Sequence, residues 1–117
     1  MDKIAELSEM RFGVEIETVG ISRKDTVSAI LTVVGGEVRH EGGSYDKWLC
    51  VAPDGRKWSA VSDASIGRGN AEVVSPILTY PTDMSVLQNV IRAIRKAGGK
   101  DRSTAGMGLA TKAALGI

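Results

Sequence analysis

The chain has 117 residues, of which 43% are hydrophobic and 25% charged, and its formal net charge is +1. This length suits one compact domain, and the composition is that of a globular protein, which excludes wholesale disorder. A net charge close to zero gives no electrostatic reason to expect nucleic acid or an anionic membrane as a partner. The sequence shows no signal peptide and no apolar run long enough to cross a bilayer, so we expect a cytoplasmic protein.

The first predicted element is a strand over residues 12–19. Apolar residues alternate there with glycine and glutamate, and successive side chains of a strand point to opposite faces. One face is therefore buried, and Glu15 and Glu17 lie together on the other. Adjacent carboxylates repel each other unless a cation compensates them, and Mg²⁺ prefers oxygen ligands. The pair indicates a metal site, although a half-exposed strand with a solvated acidic face gives the same alternation.

Two amphipathic helices are predicted. The first follows the capping segment 22–25, ends at Gly35-Gly36, and carries the apolar residues Val27, Ile30, Leu31 and Val34 at helical spacing. The second covers residues 83–97, with Asp83 as N-cap and a glycine pair as stop signal. Its apolar stripe, which we expect to pack on the sheet, consists of Val86, Leu87, Val90, Ile91 and Ile94.

The remaining elements are short strands. A Pro53-Asp54-Gly55 turn between two apolar runs predicts a hairpin, because proline presets φ and glycine accepts a positive φ. Close connections of this kind favour an α+β fold in which two helices pack on one face of an antiparallel sheet. The predicted strands are 37–41, 47–51, 56–61 and 71–74, the last of which ends at Ser75-Pro76.

Cys50 and His40 are the only residues of their types. A disulfide framework is therefore excluded, and a lone cysteine in an apolar strand is typically a small buried hydrophobe. His40 lies in a charged segment and is expected at the surface. The two residues lack a third group that would orient a nucleophilic pair, and they cannot bind zinc without several carboxylates.

Glu72 extends the acidic pair if its strand lies beside the first one. In the segment 71–74 the period of two places Val73 on one face and Glu72 on the other. Glu72 would then face Glu15 and Glu17. Three carboxylates from two strands would make a convincing Mg²⁺ cluster, whereas two would be a weaker indication.

Four segments, taken in this order, resemble the amidoligase family of carboxylate–amine ligases, which is related to glutamine synthetase and glutamate–cysteine ligase. They are Phe12–Glu17, Trp58 followed by Asp63–Ile66, Glu72–Pro76, and the helix end at Ala97–Gly99. The resemblance spans residues 10–106. It implies an antiparallel sheet like the N-terminal part of a glutamine-synthetase-like catalytic domain, with the active site on the open face.

The resemblance also implies a reaction, in which ATP phosphorylates a carboxylate and an amine attacks the acyl phosphate. The substrates would be a small-molecule or peptide carboxylate and an amine, and the cofactors Mg²⁺ (or Mn²⁺) and ATP. It assigns the metal to Glu15, Glu17 and Glu72, a catalytic role to Asp63, and substrate contacts to Trp58, Ser65 and Ser75.

The chain departs from the family near its end. The family has a small-residue run and then an H-x-H strand, whereas residues 103–107 begin such a run here and Gly108–Lys112 follows without histidine. We therefore expect one amidoligase-like domain over 1–117 that is truncated and incomplete as a catalyst, with a tail, 103–117, of undefined structure. The alternative is a non-catalytic interaction or self-assembling module. Unpaired edges of an incomplete sheet predict a homo-oligomer.

Overall fold

The computed structural model describes residues 10–62, 70–101 and 110–115, and it describes side chains for residues 10–62 and 70–100. Within these residues the fold is α+β, as predicted. The helices are α1 (Arg23–Val34) and α2 (Met84–Lys96). The strands are β1 (Arg11–Val19), β2 (Glu37–Gly42), β3 (Lys47–Val51), β4 (Lys57–Val61), β5 (Ala71–Val74), β6 (Leu78–Thr79), β7 (Lys100–Asp101) and β8 (Ala110–Leu115).

The strands form one antiparallel sheet in which β1 is central. The strand order is β2-β3-β4-β5-β1-β6. The strands β2 to β5 are therefore neighbours in chain order, and β1 lies between β5 and β6. Two further strands, β7 and β8, pair with β1 as well. The strand β8 falls in the segment whose structure the sequence left undefined. It lies along β1 from Phe12, opposite Leu115, to Glu17, opposite Ala110.

Both helices share a core with one face of the sheet, as predicted. The buried face of β1 contributes Phe12, Val14 and Ile16, and the same cluster contains buried residues of α1 and α2. The stripe predicted on α2 is confirmed, since Leu87, Val90 and Ile94 are buried and Val86 and Ile91 pack against the cluster. Cys50 is also fully buried, as expected. The likeness to a glutamine-synthetase-like domain stays a prediction. No helix in the described residues is both long and apolar enough to span a membrane.

The ends of α1 follow the sequence signals closely. The Ser22 hydroxyl accepts a hydrogen bond from the Asp25 amide at 3.0 Å, which satisfies a free donor of the first turn. At the other end Gly36 has a φ of +95°, and a Cβ at this position would lie 1.8 Å from the Val51 carbonyl oxygen. Only glycine fits here, because any side chain would collide with the Val51 carbonyl. The close approach lets the chain that leaves α1 lie directly against β3.

Asp83 occupies the N-cap position of α2, but its side chain makes no capping hydrogen bond. The carboxylate instead accepts hydrogen bonds from the Thr79 amide at 2.8 Å and from the Arg56 guanidinium at 3.0 and 3.3 Å. Arg56 precedes β4 in the β3–β4 hairpin. The expected cap is therefore a tertiary contact that joins the start of α2 to this hairpin.

Candidate functional site

The predicted carboxylates lie on the face of the sheet opposite the helices, which we call the open face. In the β1–β5 register Glu17 is directly opposite Glu72, and Glu15 is opposite Val74. Residues directly opposite each other in an antiparallel pair share a face, with Cβ atoms about 4.5–5.5 Å apart. Glu15 is two positions away along β1, about 7 Å at the usual rise per residue. The predicted adjacency of the two strands is confirmed.

The three carboxylates differ in exposure. Glu15 is exposed, whereas Glu17 and Glu72 are half-buried and both have interaction partners. In the parts of the chain that the structure describes, no three His, Cys, Asp or Glu side chains are gathered closely enough to hold a metal ion. The register thus brings the carboxylates to one surface, and their side chains are not drawn together around a single point.

Two positions of the open face beyond β5 are buried. Ser59 of β4 lies opposite Val74, and Leu49 of β3 lies opposite Ser59. Leu49 and Ser59 are only 4% and 9% exposed, although they lie on the face away from the helices. On β1 and β5 the same face has exposed positions at Arg11, Glu15 and Val74.

Two residues predicted to contact substrate make structural contacts within the described residues. Trp58 is 1% exposed and lies in the core on the helix side of the sheet, so the structure does not bring it to the carboxylates. The Ser75 hydroxyl accepts a hydrogen bond from the Val14 amide at 2.9 Å and donates one to the Pro76 carbonyl at 2.7 Å. It holds the chain against β1 at the end of β5. Asp63 and Ser65 lie outside the described residues.

Sequence reasoning missed a polar network centred on Asp46, in the turn between β2 and β3. Its carboxylate accepts a hydrogen bond from Arg23 Nε at 2.9 Å and lies 2.6 Å from His40 Nε2. These two bonds hold the pKa of Asp46 below its ordinary value, and the bond with His40 has the larger effect. The His40 ring also stacks on Trp48, with centroids 4.0 Å apart and planes 11° from parallel.

The β2–β3 turn and Arg23 each contact one of the two residues that flank the segment 63–69. The Ser62 amide donates to the Tyr45 carbonyl at 2.8 Å, and Arg23 Nη1 donates to the Asn70 carbonyl at 2.9 Å. Arg23 and Asp46 are 23 positions apart in the chain, and no local pattern connects them. The only sequence signal is an aspartate in a glycine-rich turn, a residue that tolerates the positive φ of 46° observed there.

Comparison with known proteins identifies the family. The model of a family described as "Putative amidoligase enzyme" matches residues 8–115. No curated protein and no solved structure matches the chain. The family match runs from before β1 to the end of β8 and includes all the segments on which the resemblance was based. The chain therefore belongs to the amidoligase family.

Proposed function

We propose that this protein is an ATP-dependent carboxylate–amine ligase domain that binds Mg²⁺ or Mn²⁺ on its open face. One observation carries the proposal: Glu17 lies opposite Glu72, and Glu15 is next along the same face, in a chain that belongs to the amidoligase family. Carboxylates on one face of a sheet offer oxygen ligands to a divalent cation. A divalent metal is the cation that this reaction class would use.

The donor set suits such a metal. All three side chains offer carboxylate oxygens, which Mg²⁺ and Mn²⁺ prefer to nitrogen or sulfur. When bound, the metal would neutralise charge on the nucleotide phosphates during phosphoryl transfer. Because β1 is paired on both sides by other strands, Glu15 and Glu17 project from a rigid element, which favours a defined site.

The proposed reaction has two steps. A substrate carboxylate oxygen attacks the γ-phosphorus of ATP, which releases ADP and forms an acyl phosphate. The amine nitrogen then attacks the acyl carbon, phosphate leaves, and the nitrogen loses a proton as the amide forms. By family resemblance, we propose that Asp63 and Ser65 contact the substrate or orient the amine.

Metal binding tests the proposal directly. In calorimetric titrations with MnCl₂ we expect weak binding by the parent chain that is lost in the Glu15→Gln, Glu17→Gln double variant. The control is Glu37→Gln, Glu41→Gln, which removes the same charge from two exposed positions of β2. Equal binding by the parent and the first variant would contradict the site, as would equal losses in both variants.

A further inference from the structure

A cleft lies on the helix side of the sheet, where the end of α1, the β3–β4 hairpin and α2 meet. Its volume is about 280 Å³, close to the lower end of the range for small-molecule sites. Among the described residues, its apolar lining includes Val33 and Val34 of α1, Trp58 of β4 and Val86 of α2. The cleft is thus separated from the proposed metal site by the sheet itself.

The charged part of the lining has a net negative charge. Asp54 and Arg56 both line the cleft, and the Arg56 guanidinium forms ion pairs with Asp54 at 3.0 Å and with Asp83 at 3.0 Å. One cation therefore compensates two carboxylates. Lys57, the next residue in the chain, does not change this balance, because strand alternation places its side chain on the face opposite to Trp58.

Asp54 can accept a further hydrogen bond. Its two carboxylate oxygens accept bonds from the Arg56 amide and from Arg56 Nε, each at 3.0 Å. A carboxylate has about four acceptor positions, so these bonds leave room for another donor. The bond from the Arg56 amide holds the pKa of Asp54 below its ordinary value, and the side chain is more than half exposed. Asp54 is therefore a charged and accessible acceptor at neutral pH.

The end of α1 adds negative potential to the same cleft. The carbonyl end of a helix carries a partial negative charge, which a basic residue in the last turn usually complements. The last turn of α2 contains Arg95 and Lys96, whereas that of α1 contains no basic residue. Val33 and Val34 are the last two residues of α1, so this uncompensated end lies at the wall of the cleft. A cation is the complement of this wall.

We propose that this cleft binds a small amine, with its apolar chain against Val86 and Trp58 and its ammonium group between Asp54 and the end of α1. The inference goes beyond the proposed function and does not rest on it. A carboxylate would meet negative charge on both sides, and a neutral molecule would gain nothing from that charge. The small volume suits a free amine of a few carbon atoms.

Three probes with the same chain test the charge preference. Hexylamine, hexanol and hexanoate would each be titrated into the parent chain and followed by heteronuclear NMR. Hexylamine should shift amide signals of the cleft residues and bind about fivefold or more tightly than hexanol, as a hydrogen bond to a charged group predicts, and hexanoate should bind least. Equal affinity for the amine and the alcohol, tighter binding of hexanoate, or no binding of any probe would overturn the inference. Hexylamine shifts confined to Glu15 and Glu17 would also overturn it.

The Asp54→Asn variant tests the proposed ammonium contact. It should weaken hexylamine binding about fivefold or more and leave hexanol binding unchanged, because only the amine uses the charge. The matched control is Asp25→Asn, which removes the same charge from an exposed position in the first turn of α1, at the other end of the helix. Equal losses in the two variants would indicate a general charge effect and overturn the inference.

The Val86→Phe variant tests the need for open space. The larger side chain should occupy the cleft and weaken hexylamine binding about tenfold or more. Gln88→Phe adds the same ring at an exposed position of α2 and should bind like the parent. Unchanged affinity in Val86→Phe, with a normal melting curve, would overturn the inference, and if this variant does not fold, Asp54→Asn decides. None of these titrations contains ATP or a metal, so their failure would leave the proposed function intact.

Discussion

Asp83 illustrates how a single charged residue stabilises this fold. Burial alone raises the pKa of its carboxyl, but the Thr79 amide and the Arg56 guanidinium outweigh it and hold the pKa below the ordinary value of 3.8. A carboxyl whose pKa is lower in the folded state binds fewer protons there than in the unfolded state. Its contribution to the free energy of unfolding is therefore present above about pH 4 and is lost as the pH falls through the lowered pKa.

We predict that Asp83→Asn decreases stability at pH 7 and flattens the acid limb of the stability curve. Urea unfolding followed from pH 2 to 7 would show both effects. Asp54→Asn is the matched control: Asp54 also bonds to Arg56, but its side chain is 54% exposed against 14% for Asp83, so solvent screens its charge. A parallel shift of the whole curve in Asp83→Asn, without a change in its acid limb, would contradict the explanation.

Individual site residues were predictable where the pattern is local. The alternation along β1 was enough to place Glu15 and Glu17 on one face, because a period of two is a property of any strand. The contact between Arg56 and Asp83 spans 27 positions and depends on how α2 packs against the hairpin. The roles expected for Trp58 and Ser75 came from motif order alone. Motif order does not show that Trp58 faces the core or that Ser75 caps the end of β5.

At the scale of elements, α2 is a packing helix. Leu87 is 6% exposed, and Val90 and Ile94 are fully buried in the core that the helices share with the sheet. Leu87→Ala should lower the free energy of unfolding by about 2–5 kcal/mol, because the core cannot collapse fully around the lost atoms. Gln88→Ala, at the exposed neighbouring position, should change it by less than about 0.5 kcal/mol. A loss below about 1 kcal/mol for Leu87→Ala would mean that the stripe does not carry core packing.

The longer elements were predictable and the shortest were not. Both helices have a 3.6-residue apolar period, and the β3–β4 hairpin has a turn whose residues each have a conformational reason. The strands β6 and β7 contain two residues each, too few for any period. In β8 the sequence Ala-Thr-Lys-Ala-Ala-Leu alternates only weakly, so its pairing is visible only once β1 is in place beside it.

For the molecule as a whole, we expect the 117-residue chain alone not to form amide bonds from ATP, glutamate-like acids and amines. In the β8 register the positions opposite Glu17 and Glu15 are Ala110 and Lys112, neither of which is a metal ligand of the expected kind. In the proposed site the carboxylates of two strands would hold the metal from one side, whereas acyl-phosphate chemistry needs a closed site that keeps water from the intermediate. ADP release measured with a panel of acids and amines checks this. Metal-dependent turnover stimulated by substrate, and lost in Glu15→Gln, would contradict it.

The basic residues near the carboxylates are not part of the main basic run of the sequence. That run, from Arg92 to Arg102, lies at and after the end of the predicted second helix. The register places Lys112 opposite Glu15, and Arg11 lies four positions before Glu15 on the same face of β1. Basic side chains on this face are compatible with nucleotide binding even where turnover is absent. A positive binding assay therefore does not contradict the expected lack of amide-bond formation.

The outer strands determine how copies of the chain could associate. The strand β2 ends the sheet on one side and carries Glu37, Arg39 and Glu41 at exposed positions. These charges disfavour pairing of this edge with a strand of another chain. Within the described residues, β8 pairs only with β1 and has a single charged residue, Lys112. An edge of this composition favours addition of another strand. We therefore predict a dimer or larger assembly that forms through β8.

Light scattering after size-exclusion chromatography should give a mass above the 12.4 kDa of one chain. Successive N–H groups of a strand point to alternate sides, so only one of Ala113→Pro and Ala114→Pro removes an outward donor. That variant should reduce the mass to a monomer at little cost in melting temperature, while the other should disturb the pairing with β1 and lower the melting temperature. Glu41→Pro in β2 should leave the mass unchanged. A monomeric parent would refute the assembly, and a mass that neither proline variant alters would show that copies associate through another surface.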